Sequence, residues 1–424
     1  MSDGDGLERP RLRPVEAYPV EVEGERKVLL RDPAGYTEAT AVVPVPVFFL
    51  LTMCDGAHTP EQMSGEFAQR FDADLPPQRV RDILQQIDQA FLFESERFRT
   101  RQRTLHDEFR IMTSRPPAHA GGAYAVDAKD LKRQLDGYWD RQGGPGGPPA
   151  PGTATRPLRA VIAPHVDFHR GGHVYAWAYR EVGSAAPADL YVIFGTGHQI
   201  MQNRFALTTK DYETPLGPAR TDAEMVRKLA ARCRRQDVFL DEYNHRNEHS
   251  IEFQAVALKF VLGDRPFRIL PILVGSFHDL VLEGTEPIDS PDVKEFVGEL
   301  ANLLGAERGR VCLVGGVDFA HVGKKFGDEE GIEPGFLAGV ERDDRAMLEP
   351  IVAGDPAGLY ESIRKDHDRR RICGFPPMYV QFAVQGKAPQ GQLLQYDRTL
   401  DEKTASVVTF ASVAYWGDGE PVPA

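Results

Sequence analysis

The chain has 424 residues, of which 42% are hydrophobic and 27% are charged. This is the composition of a folded protein, and the length is enough for two or more domains. Its 50 basic and 63 acidic side chains give a formal net charge of -13, which argues against a protein that binds nucleic-acid phosphates through clustered positive charge.

The lack of a recognisable secretory signal or membrane-spanning run, together with the spacing of the cysteines, predicts a cytoplasmic protein. The start of the chain lacks the apolar core of a secretory signal, and the longest apolar run, 41–53, is too short to cross a bilayer. The four cysteines are widely spaced and form no CxxC pair, which suits a reducing compartment. We therefore expect neither a membrane nor a nucleic acid as partner.

The first hundred or so residues predict a small separate domain, 1–105. The stretches 26–36 and 40–51 alternate like short strands around a turn. Thr59 and Pro60 suit the N-cap and the first position of a helix, and a second amphipathic helix follows. Short strands followed by two such helices predict a winged-helix-like α+β domain.

From residue 158 onward the chain alternates between two kinds of segment. Buried-strand runs such as "LRAVIAP", "DLYVIFG", "FRILPILVG" and "RVCLVGG" are separated by amphipathic helical stretches. This alternation predicts an α/β fold with a mixed or parallel sheet flanked by helices on both faces. The Gly/Pro-rich segment 141–157 predicts a loop.

Polar side chains follow three of these strands at the point where each strand ends. His165 directly follows the first run, His198 follows the second, and Asp318 and His321 follow the fourth. In open α/β sheets ligands bind outside the carboxyl ends of the strands. We therefore expect these side chains to meet at one edge of the sheet.

Two further clusters add to this set. His249 and Glu252 lie one turn apart at the start of a predicted helix. Cys373 stands just before another helix, whose N-terminus favours the thiolate. Two neutral imidazoles and one anionic ligand suit a divalent transition metal, and a thiolate favours iron, copper or zinc over magnesium.

Each of these residues also has an ordinary structural explanation. A single loop histidine is usually just hydrogen-bonded, Asp167 can cap the following helix, and Cys373 can pack as a small apolar side chain. The recurrence of His or Asp at several strand ends favours the metal site over these separate explanations.

Five segments resemble the motifs of the Memo family, which includes protein B of the AmmeMemoRadiSam system. They are "APHVDFHRGG", "GTGHQ", "NEHSIE", "VDFAHVG" and "ICGFPP", in the family's order. The likeness runs from about 115 to the C-terminus, so it implies an α/β domain over 106–424 with 141–157 as an inserted loop. It also implies the fold of the class III extradiol dioxygenases, which hold a non-haem iron.

The resemblance implies roles for single residues. Its metal ligands correspond to His165, His198 and Cys373. His321 stands where a dioxygenase-like acid/base group would be, beside Asp318 in the pocket. The implied groups around the ligands are His249, Glu252 and Asp167. The implied cofactor is a divalent transition metal, with iron favoured and copper or zinc open.

Residues 18–97 resemble the PqqD-like peptide-recognition domain in "RDP", in "DG" before "TPEQM", and in "AFLFES". That family binds an extended leader peptide as an added strand, a mode in which main-chain hydrogen bonds supply the affinity. A small dimerisation or packing module is the alternative.

Together these features lead to two hypotheses. The first is a mononuclear iron or copper redox enzyme, dioxygenase-like, that works with a radical SAM enzyme and an AMMECR-type protein. The second is a non-catalytic binding or scaffold component of a peptide- or RNA-modification system, in which the N-terminal domain binds a leader peptide. The pocket motifs depart from the family pattern, for example at Gln199. The family resemblance therefore does not identify the substrate of this chain.

Overall fold

The structure is a computed structural model that describes residues 7–37, 39–154, 156–386 and 390–417. The chain divides into two compact units, Met1–Ile111 and Met112–Ala424. The boundary that the sequence predicts, between 105 and 106, stays a prediction. In the part of the chain that the structure describes, no helix is both long and apolar enough to cross a membrane.

The N-terminal unit consists of a three-stranded antiparallel sheet and four helices within its described residues. The strands pair in the order β1–β2–β3. Apolar side chains from the sheet and helices form one core. The elements are β1 (Glu16–Val22), β2 (Glu25–Arg31), β3 (Ala41–Pro44), α1 (Val45–Thr52), α2 (Pro60–Phe71), α3 (Pro77–Asp88) and α4 (Glu96–Ile111).

The prediction of a strand over 40–51 is wrong beyond Pro44. Val45 begins helix α1, because Pro44 is held in the extended conformation and Pro46 suits the first helical turn. A short apolar run does not distinguish a strand from a buried helix. The N-cap prediction is confirmed: the Thr59 hydroxyl accepts from the backbone N–H of Gln62, whose side chain accepts from the Thr59 N–H in return.

The C-terminal unit is an α/β fold, as predicted. Its strands are β4 (Ser114–Arg115), β5 (Leu158–Ala163), β6 (Leu190–Thr196), β7 (Phe205–Leu207), β8 (Asp211–Tyr212), β9 (Arg220–Thr221), β10 (Arg268–Val274), β11 (Val311–Gly316), β12 (His321–Gly323), β13 (Gln392–Asp401) and β14 (Ser406–Trp416). Its α-helices are α5 (Ala128–Asp136), α6 (Phe168–Ser184), α7 (Ala223–Arg232), α8 (His249–Leu262), α9 (His278–Glu283), α10 (Pro291–Ala306), α11 (Pro334–Ala353), α12 (Pro356–Arg364) and α13 (Phe375–Gln385).

The main sheet of this unit has nine strands among the described residues. Its central order is β12–β14–β5–β11–β6–β10–β7, with β13 beside β14 and β9 beside β10. Strands β5, β11, β6 and β10 run parallel, and β14 and β7 border them antiparallel. Two apolar cores cover the two faces of the sheet. The predicted mixed sheet flanked by helices is therefore confirmed.

The described part of 141–157 contains no helix or strand and lies along helix α6. The Trp177 indole N–H donates to the Gly143 carbonyl at 2.8 Å, and the Ala150 N–H donates to the Ser184 hydroxyl at 3.1 Å. These hydrogen bonds give the loop fixed partners within its own unit.

The register of the parallel strands places three strand ends side by side. Ala163 at the end of β5 pairs with Gly316 at the end of β11, and Gly316 pairs with Gly195 of β6. The next residues of β5, β11 and β6 therefore leave the sheet at the same edge.

Helix α8 packs directly on these strand ends because two glycines leave no side chain in the way. A Cβ added to Gly195 would lie 2.5 Å from a side-chain carbon of Ile251. A Cβ added to Gly316 would lie 2.5 Å from the backbone oxygen of Ser250 and 2.8 Å from the amide nitrogen of Gln254. The start of α8 thus reaches the edge where the strands end.

We predict that Gly316→Ala destabilises the protein by about 1–3 kcal/mol, the usual cost of forcing a methyl group into a packed interior. The matched control is Gly298→Ala at an exposed position of helix α10, where an added Cβ meets nothing within 4 Å and should gain about 0.5–1 kcal/mol. Urea unfolding of the full chain measures both variants. Equal stability of the two variants would contradict this packing.

Candidate metal centre

The polar residues that the sequence places after β5 and β11 meet at the sheet edge. The backbone N–H of His165 donates to Asp318 Oδ1 at 2.9 Å. One residue earlier in the second loop, the Val317 N–H donates to the Ala163 carbonyl at 2.8 Å. These hydrogen bonds connect the segments that follow β5 and β11, and so fix the backbone positions of His165 and Asp318.

His165 is buried, and its environment fixes which ring nitrogen is free. Its Nδ1 lies 3.0 Å from the Gly316 carbonyl oxygen, which can only accept, so Nδ1 carries the proton of that hydrogen bond. Its Nε2 lies 3.3 Å from Cys373 Sγ. Burial disfavours the charged imidazole, but the Cys373 thiolate and the Asp318 carboxylate outweigh it and raise the pKa of His165 to about 9.

Cys373 is held against two strand exits by its own backbone and that of its neighbour. Its carbonyl accepts a hydrogen bond from the Thr196 hydroxyl at the end of β6, at 3.1 Å. The Gly374 N–H donates to the Asp318 carbonyl at 3.1 Å. A Cβ on Gly374 would lie 2.4 Å from that same carbonyl oxygen, so only glycine permits this approach.

The four cysteines differ sharply in acidity. Burial raises the pKa of the Cys54, Cys233 and Cys312 thiols to about 12. Burial acts in the same direction on Cys373, but His165 and His321 next to it hold its pKa well below the usual value. Cys373 is therefore the one described cysteine whose surroundings favour the thiolate, the form that binds metals.

The His198 side chain is only 35% exposed and contacts the buried carboxylate of Glu248. Its Nδ1–H donates to Glu248 Oε1 at 3.0 Å, and its backbone N–H donates to Glu248 Oε2 at 3.1 Å. Burial opposes a charge on the ring, but Glu248 and a hydrogen bond to Cys373 raise the pKa of His198 well above its usual value. The same pairing keeps the pKa of Glu248 well below normal despite its burial.

His249 belongs to the same group as the other two imidazoles. One ring nitrogen each from His165, His198 and His249 lies within 4.8 Å of the others. The rings of His198 and His249 stack at 4.7 Å, and both meet His165 edge to face. Burial holds the pKa of His249 well below normal, so this ring is neutral near pH 7 and able to bind a cation.

Asp318 and His321 also lie close to Cys373. His321 Nδ1 lies 3.1 Å from the Phe319 carbonyl, which leaves Nε2 for other partners. Burial lowers the pKa of His321, but the Cys373 thiolate and Asp318 more than compensate and raise it. Burial raises the pKa of Asp318, whose Oδ2 is 3.7 Å from His165 Nε2.

Glu252 and Asp167, which the sequence places near the ligands, have structural partners. Glu252 is fully buried, pairs with Arg115 at 2.6 Å and accepts from the Tyr124 hydroxyl and from the backbone N–H of His119. Asp167 caps helix α6 by accepting from the Arg170 N–H. The structure thus brings together His165, His198, Cys373, His249, Asp318 and His321, whereas Glu252 and Asp167 support the surrounding backbone.

Glu248 lies in this site although the sequence did not predict it there. It is the N-cap of α8, where its carboxylate accepts from the Ser250 N–H at 3.0 Å. The available signal was a carboxylate directly before His249 in "NEHSIE". A carboxylate at a helix start predicts a cap, and nothing in the sequence gives its distance to His198.

A cavity of about 240 Å³ adjoins two of these side chains, His198 and Cys373. Its walls include the buried side chains of Val274, Phe277 and Phe375. Asp368, His278 and Arg371 also line it. A second cavity of about 560 Å³ shares His198 but has polar walls, including Arg204 and Arg235.

The donor set fits a transition metal. Three imidazoles lie together, and the Cys373 thiol lies 3.3 Å from one of them, His165. Metals need deprotonated ligands, so an ion that binds here replaces protons on these groups. The raised pKa values of His165 and His198 show that the cluster already favours positive charge. Nitrogen and sulfur donors favour iron, copper or zinc over magnesium or calcium.

The family model described as "Memo-like protein" matches residues 115–414. The chain belongs to the Memo family. The matched segment contains all six of the clustered side chains.

Several curated Memo relatives cover most of this chain. A MEMO1 family protein of Aquifex aeolicus is 24% identical over 392 residues, 92% of this chain and 96% of its own length. That span is too long for the C-terminal unit alone, so the match extends into the N-terminal unit. A MEMO1 family protein of Methanopyrus kandleri is 29% identical over 71% of this chain and 98% of its own. The memo-1 homolog of Caenorhabditis elegans is 29% identical over a segment that covers 63% of this chain and 70% of its own length.

We predict that iodoacetamide at pH 7 labels Cys373 of this Memo protein far faster than Cys54, Cys233 or Cys312, after metal has been removed with a chelator. Only the Cys373 thiol has a lowered pKa, and the thiolate is the reactive form. Peptide mass spectrometry measures the rates.

His165→Gln is the informative variant. It removes a neighbour that lowers the pKa of Cys373, so the thiolate fraction at pH 7 and the labelling rate should both fall. Equal labelling of all four cysteines in the folded protein would show that this account of Cys373 is wrong.

Proposed function

We propose that this Memo protein binds one divalent transition metal, iron, and uses it in redox chemistry. The observation that carries the proposal is the 3.3 Å contact between Cys373 Sγ and His165 Nε2, with a ring nitrogen of His198 close to that of His165. These three side chains come from separate loops at the sheet edge. They are also the ligands that the family motifs imply. Copper and zinc remain the alternatives that the same donors accept.

Held by His165, His198 and Cys373, iron would supply one-electron redox chemistry and act as a Lewis acid. Residues of the chain itself would donate and accept the proton that the reaction transfers. His321 and Asp318 lie beside Cys373, and the contact of His321 Nδ1 with the Phe319 carbonyl leaves its Nε2 to exchange a proton. An acid/base group of this kind must lie within hydrogen-bonding reach of the reacting atom. We assign proton transfer to His321, with Asp318 stabilising its charged form.

The 240 Å³ cavity beside His198 and Cys373 supports substrate binding next to the ion. Its apolar walls, formed by Val274, Phe277 and Phe375, can contact an apolar part of a substrate, and the polar groups at its edge can orient it. This arrangement supports the dioxygenase-like reaction class that the family resemblance implies. The reaction would be an oxidation, with dioxygen as the oxidant, of a small molecule or of a side chain that enters this cavity.

A second function, peptide binding by the N-terminal unit, is favoured by the edge of its sheet. Strand β1 pairs with β2 on one side, and no other described strand pairs with it. Tyr18 and Val22 on this strand are exposed. A peptide adding a strand here would use main-chain hydrogen bonds, as the PqqD-like resemblance implies.

In this arrangement the full chain would act in the cytoplasm with a radical SAM enzyme and an AMMECR-type protein. The N-terminal unit would bind the leader peptide of the peptide that is to be modified. If the metal centre is inactive, the same parts would serve as a scaffold. Fluorescence anisotropy of labelled peptides from neighbouring small open reading frames tests this. Binding by the full chain that weakens in Tyr18→Ser supports it, and no binding at all contradicts it.

We predict that the full chain purified without oxygen contains close to one iron per molecule, and that His165→Ala loses most of it. His165 is the buried imidazole that touches Cys373, so its removal takes away one ligand. Elemental analysis by mass spectrometry measures the metal content. The matched control is His169→Ala, an exposed histidine outside the cluster. Equal, negligible metal in wild type and His165→Ala would contradict the proposal.

A further inference from the structure

Glu248 makes more contacts than a helix cap needs. Its side chain is only 4% exposed. It accepts from the Ser250 N–H at 3.0 Å, the His198 N–H at 3.1 Å and the His198 Nδ1–H at 3.0 Å, and His249 Nδ1 lies 3.2 Å from Oε1. One carboxylate therefore binds two imidazoles, one on the β6 exit and one on helix α8.

These contacts fix the hydrogen positions on the rings. An ionised carboxylate has no proton to donate, so Nδ1 of His198 is the donor to Glu248. His249 Nδ1 lies 3.2 Å from the same carboxylate, a distance that favours a proton on that nitrogen as well. The carbonyl of Gly316 requires the same of His165. His165 and His198 therefore keep a proton on Nδ1 and have Nε2 left to bind a metal. The contact with Glu248 favours the same tautomer in His249.

The three remaining nitrogens point to a common ion. Metal–imidazole bonds of about 2.0–2.1 Å place two nitrogens on one ion up to about 4.2 Å apart. The ring nitrogens of His165, His198 and His249 lie within 4.8 Å of one another, so shifts of a few tenths of an ångström suffice.

We propose that His249 is a direct ligand of the metal and that Glu248 is the positioning residue that places His198 and His249 on it. The centre then has three imidazoles and one thiolate, rather than the two imidazoles and thiolate that the family motifs imply. This inference rests on the proposed metal-binding function. Carboxylates behind ligating histidines orient the ring and raise its basicity, and their removal commonly weakens metal affinity 10–100-fold.

The proposal explains why the carboxylate at this position is buried. The N-terminus of α8 carries partial positive charge, which repels a cation bound close to it. The Glu248 carboxylate lies at that N-terminus and offsets this charge. A residue that served only as a cap would need one contact with its own helix, whereas Glu248 also binds the β6 exit.

Cobalt(II) titration of the metal-free full chain tests the inference through absorption spectra and affinity, without any assay of activity. The sulfur-to-cobalt charge-transfer band reports Cys373, and the d–d bands report the number and kind of the other ligands. The test variants are His249→Gln and Glu248→Gln. The matched controls are His169→Gln, an exposed histidine, and Glu181→Gln, a half-buried carboxylate on α6. Circular dichroism and thermal unfolding show that each variant folds.

We expect His249→Gln to keep the charge-transfer band, to change the d–d bands, and to weaken cobalt binding at least tenfold. Glu248→Gln should keep both kinds of band and weaken binding about 10–100-fold, and both controls should match wild type. Wild-type spectra and affinity in folded His249→Gln would overturn the ligand assignment. Unchanged affinity in Glu248→Gln would overturn the positioning role. Absence of cobalt binding by wild type would instead reject the metal-binding function itself.

Discussion

The site depends on three close approaches between backbone segments at one edge of the sheet. Gly195 and Gly316 let helix α8 lie directly on the ends of β6 and β11, and Gly374 lets the Cys373 segment reach the Asp318 carbonyl. A methyl group at any of these positions would lie less than 2.6 Å from a neighbouring atom. The distances between the histidines and the cysteine therefore follow from backbone packing rather than from the side chains alone.

Charge balance is the second constraint on the site. Cys373 with a lowered pKa and the buried Glu248 bring negative charge next to three imidazoles. Buried charge is costly unless it is paired, so the cluster requires positive charge at its centre. Without an ion, protons on His165 and His198 provide it, which is why their pKa values are raised. A divalent ion would replace these protons, so metal affinity should rise with pH.

The sequence was sufficient for the features that depend on local pattern and on general sheet geometry. Buried-strand runs predict the parallel strands, and the shared edge of their carboxyl ends predicts that His165, His198 and Asp318 meet. It was insufficient where the outcome depends on contacts across the fold. Glu248 acts through its distance to His198, and Glu252 pairs with Arg115, which is far away in sequence. At 40–51 the short apolar run predicts a strand, but a helix begins within it at Val45, because such a run fits either element.

The central claim is that imidazoles and the Cys373 thiolate bind one ion at the sheet edge. X-ray absorption fine structure of the zinc-loaded full chain tests it most directly, because the distances to sulfur and nitrogen are resolved separately. We predict one sulfur at about 2.3 Å and nitrogens at about 2.0–2.1 Å, with the sulfur shell absent from Cys373→Ser. A wild-type spectrum with nitrogen and oxygen neighbours but no sulfur would contradict the claim.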